Sequence, residues 1–422
     1  MKVFKVATAA LLIAGAASSL SAQSVGHPLS LTREERAAIV ALQAAAAGQD
    51  RAAQDAALAA ARAAARGPDA RYAIAHYEIE IGRARGDAVM QNQAIDSMVD
   101  GGLATPEELG SALASQTSRA YGARDLARAE RLLARAVETQ PGNAQALIDY
   151  AQFKSRNRNP LSAAADRALA VSLFQRALLA NQAAGRASPE SLHRRALAIA
   201  YDGTQRINGV APIAPQVAPQ AIAFGRELVA AYPTTANWRD ATLVYRELAP
   251  TDPALALDIR RLMRAAGAIA GEREFADFAN ALNSAGLAAE AKAVLEDGIA
   301  RGEVDATKPA VAALIASTTR RTTADRAGLT ALRTRAAAGT AAQATAAGDV
   351  SFGFGQYTEA AALYQAALLK GPEDPNLVNS RLGAALALAG RQAEAEAALR
   401  AVTGPRADLA GFWLVWLAHR PA

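Results

Sequence analysis

Residues 355–372 read GQYTEAAALYQAALLKGP, which is the pattern of a short amphipathic helix that closes at a proline. Ala360, Tyr364 and Ala367 are spaced by four and then three residues, so an α-helix places these side chains on one face. Pro372 then stops the helix, because proline lacks the backbone N–H that another turn requires. Two small residues around a large one suit close packing of this face against a second helix.

Comparable patterns occur at 129–141, 275–298 and 382–402. Two antiparallel helices joined by a short turn approach closely only where the crossing residues are small, and alanine and glycine provide that clearance. Larger residues such as Tyr364 and Leu399 then fill the space between one helix pair and the next. The crossing residues proposed on this basis are Ala53, Ala94, Ala129, Ala170, Ala221, Ala256, Ala291, Ala327, Ala360 and Ala395.

This unit resembles the tetratricopeptide repeat (TPR), a two-helix repeat of about 34 residues. Leu382-Gly383 and Leu386 match the first helix of the repeat, and the 355–372 segment matches the second helix with its closing proline. The resemblance implies an all-α fold, a right-handed α-solenoid of antiparallel helix pairs. Because the crossing residues are regularly spaced only toward the C-terminus, we expect a divergent N-terminal half and a regular C-terminal half.

The N-terminus has the three parts of a secretory signal peptide. Lys2 and Lys5 precede an apolar run from Val6 to Ala17, and small residues follow through Ala22. The run is too short to span a bilayer, and a lipoprotein would need a cysteine at the cleavage point. We therefore predict cleavage after Ala22 and export to the periplasm, with an uncleaved membrane anchor as the alternative.

These features predict four segments. They are a signal peptide at 1–22, a divergent TPR-like array at 23–202, a Pro-rich loop at 203–220 and a regular TPR-like array at 221–422. The loop contains three prolines, which excludes one continuous helix. Residues 408–418 are apolar but about half as long as a membrane span, so we predict a capping helix and no membrane contact.

Composition excludes several classes of protein. The chain has no cysteine, which rules out disulfides and thiol sites. Roughly a quarter of the residues are alanine and 5% are aromatic, which disfavours strand-rich folds. The formal charge of +5 comes from 45 basic and 40 acidic residues without a basic cluster, so no nucleic-acid partner is predicted.

Side chains suited to catalysis or metal binding are scattered. The four histidines show no zinc-site spacing, and His76 and Glu80, four residues apart, are interpreted as a surface pair. A Gly-x-Ser-x-Gly nucleophile elbow is absent from the sequence. We predict no enzymatic activity, no metal and no cofactor. A helical enzyme that uses Arg273, Asn280 or His193 is the alternative.

The resemblance implies that the first helix of each pair lines a concave groove for a peptide or a partner helix. Amide and guanidinium groups in such a groove bind peptide backbone or a terminal carboxylate, whereas an ordinary solvated helix face is the alternative. In the last units the same face is small or apolar, at Ala342, Thr345, Leu377, Ala384 and Ala387. The predicted groove residues are Gln145, Gln152, Arg156, Arg273, Asn280 and Asn283.

Together these inferences predict a non-enzymatic periplasmic scaffold or adaptor that binds a protein or peptide partner of the bacterial envelope. The alternative is a structural subunit of an envelope export machine, for instance in exopolysaccharide secretion.

Overall fold

The computed structural model of this chain describes residues 29–102, 104–156, 159, 161–205 and 211–420. The predicted signal peptide at 1–22 and residues 206–210 of the predicted loop lie outside the described residues. Within these ranges the chain forms twenty α-helices and two short 3-10 helices, without a β-strand, so the predicted all-α fold is confirmed. None of the described helices combines the length and apolar character needed to cross a membrane.

Contacts between helices divide the chain into two units. Unit 1 comprises Met1–Asn157 with Ser172–Gly185, and unit 2 comprises Arg158–Val171 with Arg186–Ala422. The segment predicted as a Pro-rich loop, 203–220, lies inside unit 2. Its role as a boundary between two arrays of different regularity stays a prediction.

Unit 1 contains consecutive helix pairs. Its helices are α1 (Arg33–Ala46), α2 (Arg51–Ala64), α3 (Pro68–Arg85), α4 (Ala88–Gly101), α5 (Pro106–Gly122), α6 (Leu126–Thr139) and α7 (Ala144–Ser155), and α8 (Ala163–Ala183) has residues in both units. Helix α1 packs on α2, α3 on α4, and α5 on α6. Capping boxes start α1, with Thr32 and Glu35, and α5, with Thr105 and Glu108, because each pair satisfies free N–H groups at the helix start.

Unit 2 contains a longer array of helix pairs. Its helices are α9 (Glu190–Thr204), α10 (Ala218–Ala231), α11 (Thr235–Leu248), α12 (Pro253–Ala265), α13 (Glu272–Ser284), α14 (Ala288–Ala300), α15 (Pro309–Ala338), α16 (Ala341–Gly353), α17 (Tyr357–Leu369), α18 (Pro375–Leu388), α19 (Gln392–Arg400) and α20 (Ala407–Ala418). The pairs with the most extensive packing include α9–α10, α13–α14, α16–α17 and α18–α19. Within the predicted loop 203–220, α9 extends to Thr204 and α10 begins at Ala218. Pro219 is accommodated in the first turn of α10, because the N–H that it lacks would have no partner within the helix there.

Most of the proposed crossing residues are fully buried. Gly383 has the same role, because a Cβ atom there would lie 2.5 Å from Leu399 in the paired helix. Tyr364 and Leu399 are buried, as expected of residues that fill the space between pairs. Small residues at the crossings therefore set the close approach of the helices. The crossing residues with a relative exposure of 0% are Ala94, Ala129, Ala170, Ala221, Ala291, Ala360 and Ala395.

The other three proposed crossing positions are wrong. Ala53 and Ala327 are exposed, and Ala256 is partly exposed. Ala327 lies within α15, a single helix of 30 residues, and not at a crossing between two helices. A Cβ atom at Gly328 would lie in open space, so no neighbouring helix among the described residues packs closely there. The helix continues through this glycine to Ala338. Because the chain is so rich in alanine, the repeat spacing selected Ala327 although it is an ordinary surface residue.

The predicted capping segment, 408–418, lies in α20, which packs on more than the end of the array. Helix α20 contacts α18 and α19, and it also contacts α10 and α12. The Phe412 ring stacks on the Tyr245 ring of α11 with 5.3 Å between centroids. Trp416 Nε1 donates a 3.1 Å hydrogen bond to the backbone oxygen of Ala265. Unit 2 therefore holds its last helix between the early and the late helices of its own array.

Candidate functional site

Three predicted groove residues lie on or beside α7 in unit 1. Gln145 is exposed and its Nε2 donates a 2.8 Å hydrogen bond to Oδ1 of Asp149. Burial raises the pKa of Asp149, and the hydrogen bond from Gln145 opposes this rise. Gln152 is half-buried, and its backbone oxygen accepts a 2.9 Å hydrogen bond from Ser155 Oγ. Arg156, which caps the end of α7, is exposed.

The other three predicted groove residues lie on α13 in unit 2. The Arg273 side chain is 94% exposed, and its Nε lies 3.7 Å from Oδ2 of Asp277. Asn280 is exposed. Asn283 is half-buried, and Arg321 of α15 donates to both its side-chain oxygen, at 2.8 Å, and its backbone oxygen, at 2.9 Å. Asn283 therefore joins α13 to α15, whereas Arg273 and Asn280 face solvent.

Arg273 is part of a surface cleft between α11, α12 and α13, which we call the arginine cleft. Its lining consists of Arg246 from α11, Arg260 from α12, and Arg273, Glu274 and Asp277 from α13. Of these residues, Arg273 was predicted from the sequence, whereas Arg246 and Arg260 were not. These residues follow no repeat position that the resemblance marks, and only the packing of three helices brings them together.

One acidic residue of the arginine cleft is already held by the protein. Arg239 Nη1 and Nη2 donate to the two carboxylate oxygens of Glu274 at 2.7 and 3.2 Å, and the Ala270 N–H donates at 3.3 Å. Burial works against ionisation of Glu274, but the hydrogen bonds from Arg239 and Ala270 lower its pKa overall. Glu274 is therefore a fixed carboxylate whose charge Arg239 neutralises.

Arg260 is the least compensated cation of the arginine cleft. It is half-buried, and among the described residues its Nη1 donates only to the Ala256 backbone oxygen, at 3.5 Å. Among the described residues no carboxylate oxygen lies within 4 Å of its guanidinium group, and burial together with the charge of Arg246 lowers its pKa. Counting Arg239, four arginines face two carboxylates here. The excess of positive charge makes the cleft attractive to an anion.

A second ionic cluster in unit 2 is buried. Arg261 bonds to Glu290 at 2.6 Å and to Asp258 at 2.9 Å. Asp258 also accepts hydrogen bonds from Arg381 at 3.2 Å and from Arg406 at 2.7 Å. Burial alone would raise the pKa of Asp258, but the three guanidinium groups hold it below its ordinary value. Nothing in the sequence indicated this cluster, because its members come from distant parts of the chain.

The buried ionic cluster has no room for a substrate. The cavity beside Asp258 and Arg381 has a volume of about 10 Å³, enough for about one water molecule. Asp349, on the far side of Arg381, accepts a 2.7 Å hydrogen bond from the Tyr364 hydroxyl, and burial raises the pKa of Asp349. We therefore assign this cluster to the cohesion of unit 2.

Histidines form no site within the described ranges. His76 Nε2 lies 3.7 Å from Glu80 Oε1 on the surface of α3. His193 is buried beside the Tyr232 ring, with 5.9 Å between ring centroids, and burial lowers its pKa. In the part of the chain that the structure describes, no three His, Asp or Glu side chains are grouped so that they could hold a metal ion.

The fold and these surfaces define the class: an all-α repeat protein of TPR-like helix pairs. No family model matches the chain, and no curated protein matches it. Solved structures do match, and one is a chain in the structure of Naa15/Naa10 bound to HypK-THB, with 13% identity and a TM-score of 0.23. The match covers 88% of this chain and 65% of that one. The architecture assigned here rests on the helix packing itself.

Proposed function

We propose that this chain is an exported, non-enzymatic scaffold that binds an acidic segment of a partner protein in the bacterial envelope. The observation that carries the proposal is the arginine cleft of unit 2, whose lining has three arginines and two carboxylates, one of which, Glu274, is already paired with Arg239. A guanidinium group binds a carboxylate through two parallel hydrogen bonds, so an acidic side chain or a free C-terminus fits this lining.

The arrangement of charge in the cleft favours an external carboxylate. Glu274 is held by Arg239 and does not compensate Arg260 by direct contact. Arg273 extends into solvent, where it can meet a partner before the partner enters the cleft. Such exposed charges act mainly on the rate of association and on the choice of partner.

The compartment and the lack of enzymatic activity are parts of the same proposal. The pattern of Lys2 and Lys5, the apolar run from Val6 to Ala17 and the small residues through Ala22 supports export. The buried ionic cluster around Asp258 supports the lack of enzymatic activity, because the cavity beside it, of about 10 Å³, admits no substrate and its charges are assigned a structural role.

Charge reversal combined with crosslinking tests the proposal. The chain, its Arg273→Glu variant and its Arg320→Glu variant are expressed with their N-termini intact, crosslinked in the envelope and purified. Arg320 is an exposed arginine of α15 outside the arginine cleft, so its reversal changes the net charge equally. We expect one partner protein to be captured by the wild type and by Arg320→Glu, and at least about tenfold less of it by Arg273→Glu.

Equal capture by all three proteins would refute the arginine cleft as the binding site. Capture of only the chain itself would refute the adaptor role and favour self-assembly. Saturable turnover of a substrate that Arg273→Glu abolishes would show that the non-enzymatic assignment is wrong.

A further inference from the structure

The face that the repeat pattern assigns to a partner near the end of unit 2 is already covered. Ala384 and Ala387 of α18, both predicted to line an apolar groove, are buried. Ala384 lines the same enclosed cavity as Leu409 and Trp413 of α20. Arg420, just after α20, donates a hydrogen bond to the backbone oxygen of Ala387. The chain's own C-terminal helix thus occupies this face.

We infer that α10, α11, α12, α18 and α19 form a helix-binding groove that α20 fills in cis, and that a second C-terminal helix of the same chemistry binds there by exchange. We call this surface the docking groove. The trans ligand to which we commit is the C-terminal helix of another copy of this chain, because that sequence is the one seen to fit. This site differs from the arginine cleft and involves none of its residues.

The buried side chains of α20 define the chemistry of the ligand. Leu409, Phe412, Trp413 and Leu417 are buried and recur with helical spacing, so they form one apolar face. This is the arrangement by which a helix binds in a groove. Phe412 packs on the Tyr245 ring and lies 6.2 Å from the Trp238 ring, between centroids. The ligand is therefore an apolar helix with aromatic anchors.

Charged groups at both ends of α20 fix its direction. Asp408 in the first turn accepts a 2.9 Å hydrogen bond from Arg226 Nη1 of α10. At the other end, the Arg420 guanidinium donates a hydrogen bond to the backbone oxygen of Ala387 in α18. An acid at the start and a base after the end also complement the helix dipole. The Asp408–Arg226 pair is partly exposed, with 43% and 33% of the side chains accessible, so it can be altered without opening the core.

The buried ionic cluster allows the groove to open. When α20 leaves the groove, Arg406 in the preceding turn moves with it, and the hydrogen bond from Arg406 to Asp258 is lost. Asp258 still contacts Arg261, at 2.9 Å, and Arg381, at 3.2 Å. Release therefore leaves no unpaired buried carboxylate, and its main cost is exposure of the buried apolar face of α20, which binding of a second copy of the helix restores. On its N-terminal side, residues 401–406 connect α20 to α19, and they contain only the short 3-10 helix Gly404–Arg406.

A charge-swap exchange experiment tests the inference. The probe is a fluorescein-labelled peptide of residues 404–420, added to the full chain and followed by fluorescence anisotropy. The wild-type peptide and an Asp408→Arg peptide are each titrated into the wild-type chain and into the Arg226→Asp chain. We expect the wild-type chain to prefer the wild-type peptide and the Arg226→Asp chain to prefer the Asp408→Arg peptide, each by about fivefold to tenfold.

The tightest complex should join the Arg226→Asp chain and the Asp408→Arg peptide. In that chain the carboxylate introduced on α10 repels Asp408 of the same chain, so the cis helix competes less effectively. Hydrogen exchange should then increase across 407–418 relative to α19. An Arg273→Glu chain should bind the wild-type peptide as the unaltered chain does, which separates this site from the proposed partner site.

The inference is overturned if neither peptide binds either chain while the Arg226→Asp chain retains its helical circular dichroism. It is also overturned if both chains show the same peptide preference, because binding would then not use the α10 end of the groove.

Discussion

Arg406 Nη1 donates a 2.7 Å hydrogen bond to Oδ2 of Asp258, a residue 148 positions earlier in the chain. Their side chains are 4% and 5% exposed, so the pair lies in the interior of unit 2. The contact joins α12 to the turn that leads into α20. A buried pair of this kind positions distant segments but contributes little net stability compared with apolar packing.

Removal of the shared carboxylate should destabilise unit 2 strongly. Asp258→Ala leaves Arg381 with Asp349, Arg261 with Glu290, and the buried Arg406 with only the partly exposed Asp252 at 3.4 Å, so we expect the free energy of unfolding to fall by about 3–5 kcal/mol. Tryptophan fluorescence during urea unfolding measures this loss, since the three tryptophans, 238, 413 and 416, all lie in unit 2.

The matched control removes an exposed carboxylate. Glu394 pairs with Arg391 on the surface, and Glu394→Ala should cost less than about 1 kcal/mol. If Asp258→Ala unfolds at the same urea concentration as Glu394→Ala, the buried cluster does not hold unit 2 together.

The crossing alanines offer a second comparison. Ala360→Leu should lower the free energy of unfolding by about 1–3 kcal/mol, because α17 has no space for the added atoms at this fully buried position. Ala327→Leu makes the same change on the exposed face of α15 and should alter stability by less than about 0.5 kcal/mol. Thermal unfolding followed by circular dichroism measures both, and equal effects would show that Ala360 is not a crossing residue.

These two alanines also show which crossing residues can be predicted from the sequence. Ala360 is recognisable because the aromatic residue four positions later and the closing proline accompany it, and both follow from helix geometry. Ala327 matched only in spacing, and spacing alone does not separate a crossing from a surface when alanine is so abundant. A repeat pattern thus predicts local pairing well where several residue types agree.

Long-range contacts could not be predicted from the sequence, for a different reason. The apolar character of 408–418 predicted a packed helix, but the pattern does not contain the information that α20 would lie against α10 and α12. Similarly, Arg246 and Arg260 are ordinary helix residues until packing places them beside Arg273. Both features depend on how the array curves, which accumulates from small rotations between successive pairs.

Unit 1 should show an acid-sensitive contact at Glu35. This carboxylate accepts hydrogen bonds from the backbone N–H groups of Arg66, at 2.8 Å, Gly67, at 3.1 Å, and Thr32, at 2.8 Å. These bonds, with the Arg66 N–H foremost, lower the pKa of Glu35 from 4.5 to about 2. The folded state therefore binds the proton more weakly than the unfolded state, so the stabilisation is complete above pH 4.5 and is lost as the pH falls toward 2.

Glu35→Gln should remove this part of the pH dependence. We expect the variant to be less stable than the wild type at pH 7, and the difference to shrink as the pH falls from about 4.5 to 2. Hydrogen exchange in α1 and in the first turn of α3 measures it locally. Glu34→Gln, at the exposed neighbouring position, should follow the wild type, and a constant difference for Glu35→Gln across this range would contradict the assignment.

Export predicts a defined mature N-terminus. Cleavage after Ala22 should give a chain that starts at Gln23, which intact mass spectrometry of the envelope fraction detects. Ala22→Arg should block processing, because the residue before the cut must be small, whereas Ser24→Arg should leave it largely intact. A full-length mass for the wild-type protein would instead support the uncleaved anchor.

The arginine cleft should respond in opposite directions to two substitutions in its own lining. Asp277→Asn removes the acid 3.7 Å from Arg273, so affinity for a labelled Glu-rich peptide should rise about twofold to fivefold, whereas Arg273→Glu should lower it by more than about tenfold. Both differences should diminish as sodium chloride increases from about 0.05 to 0.5 M, since salt screens exposed charges. Glu359→Gln makes the same charge change as Asp277→Asn at an exposed position of α17 and should leave the affinity unchanged. An equal rise for Glu359→Gln would mean that the peptide responds to net charge and not to this cleft, whereas a rise confined to Asp277→Asn locates the bound carboxylates beside Arg273.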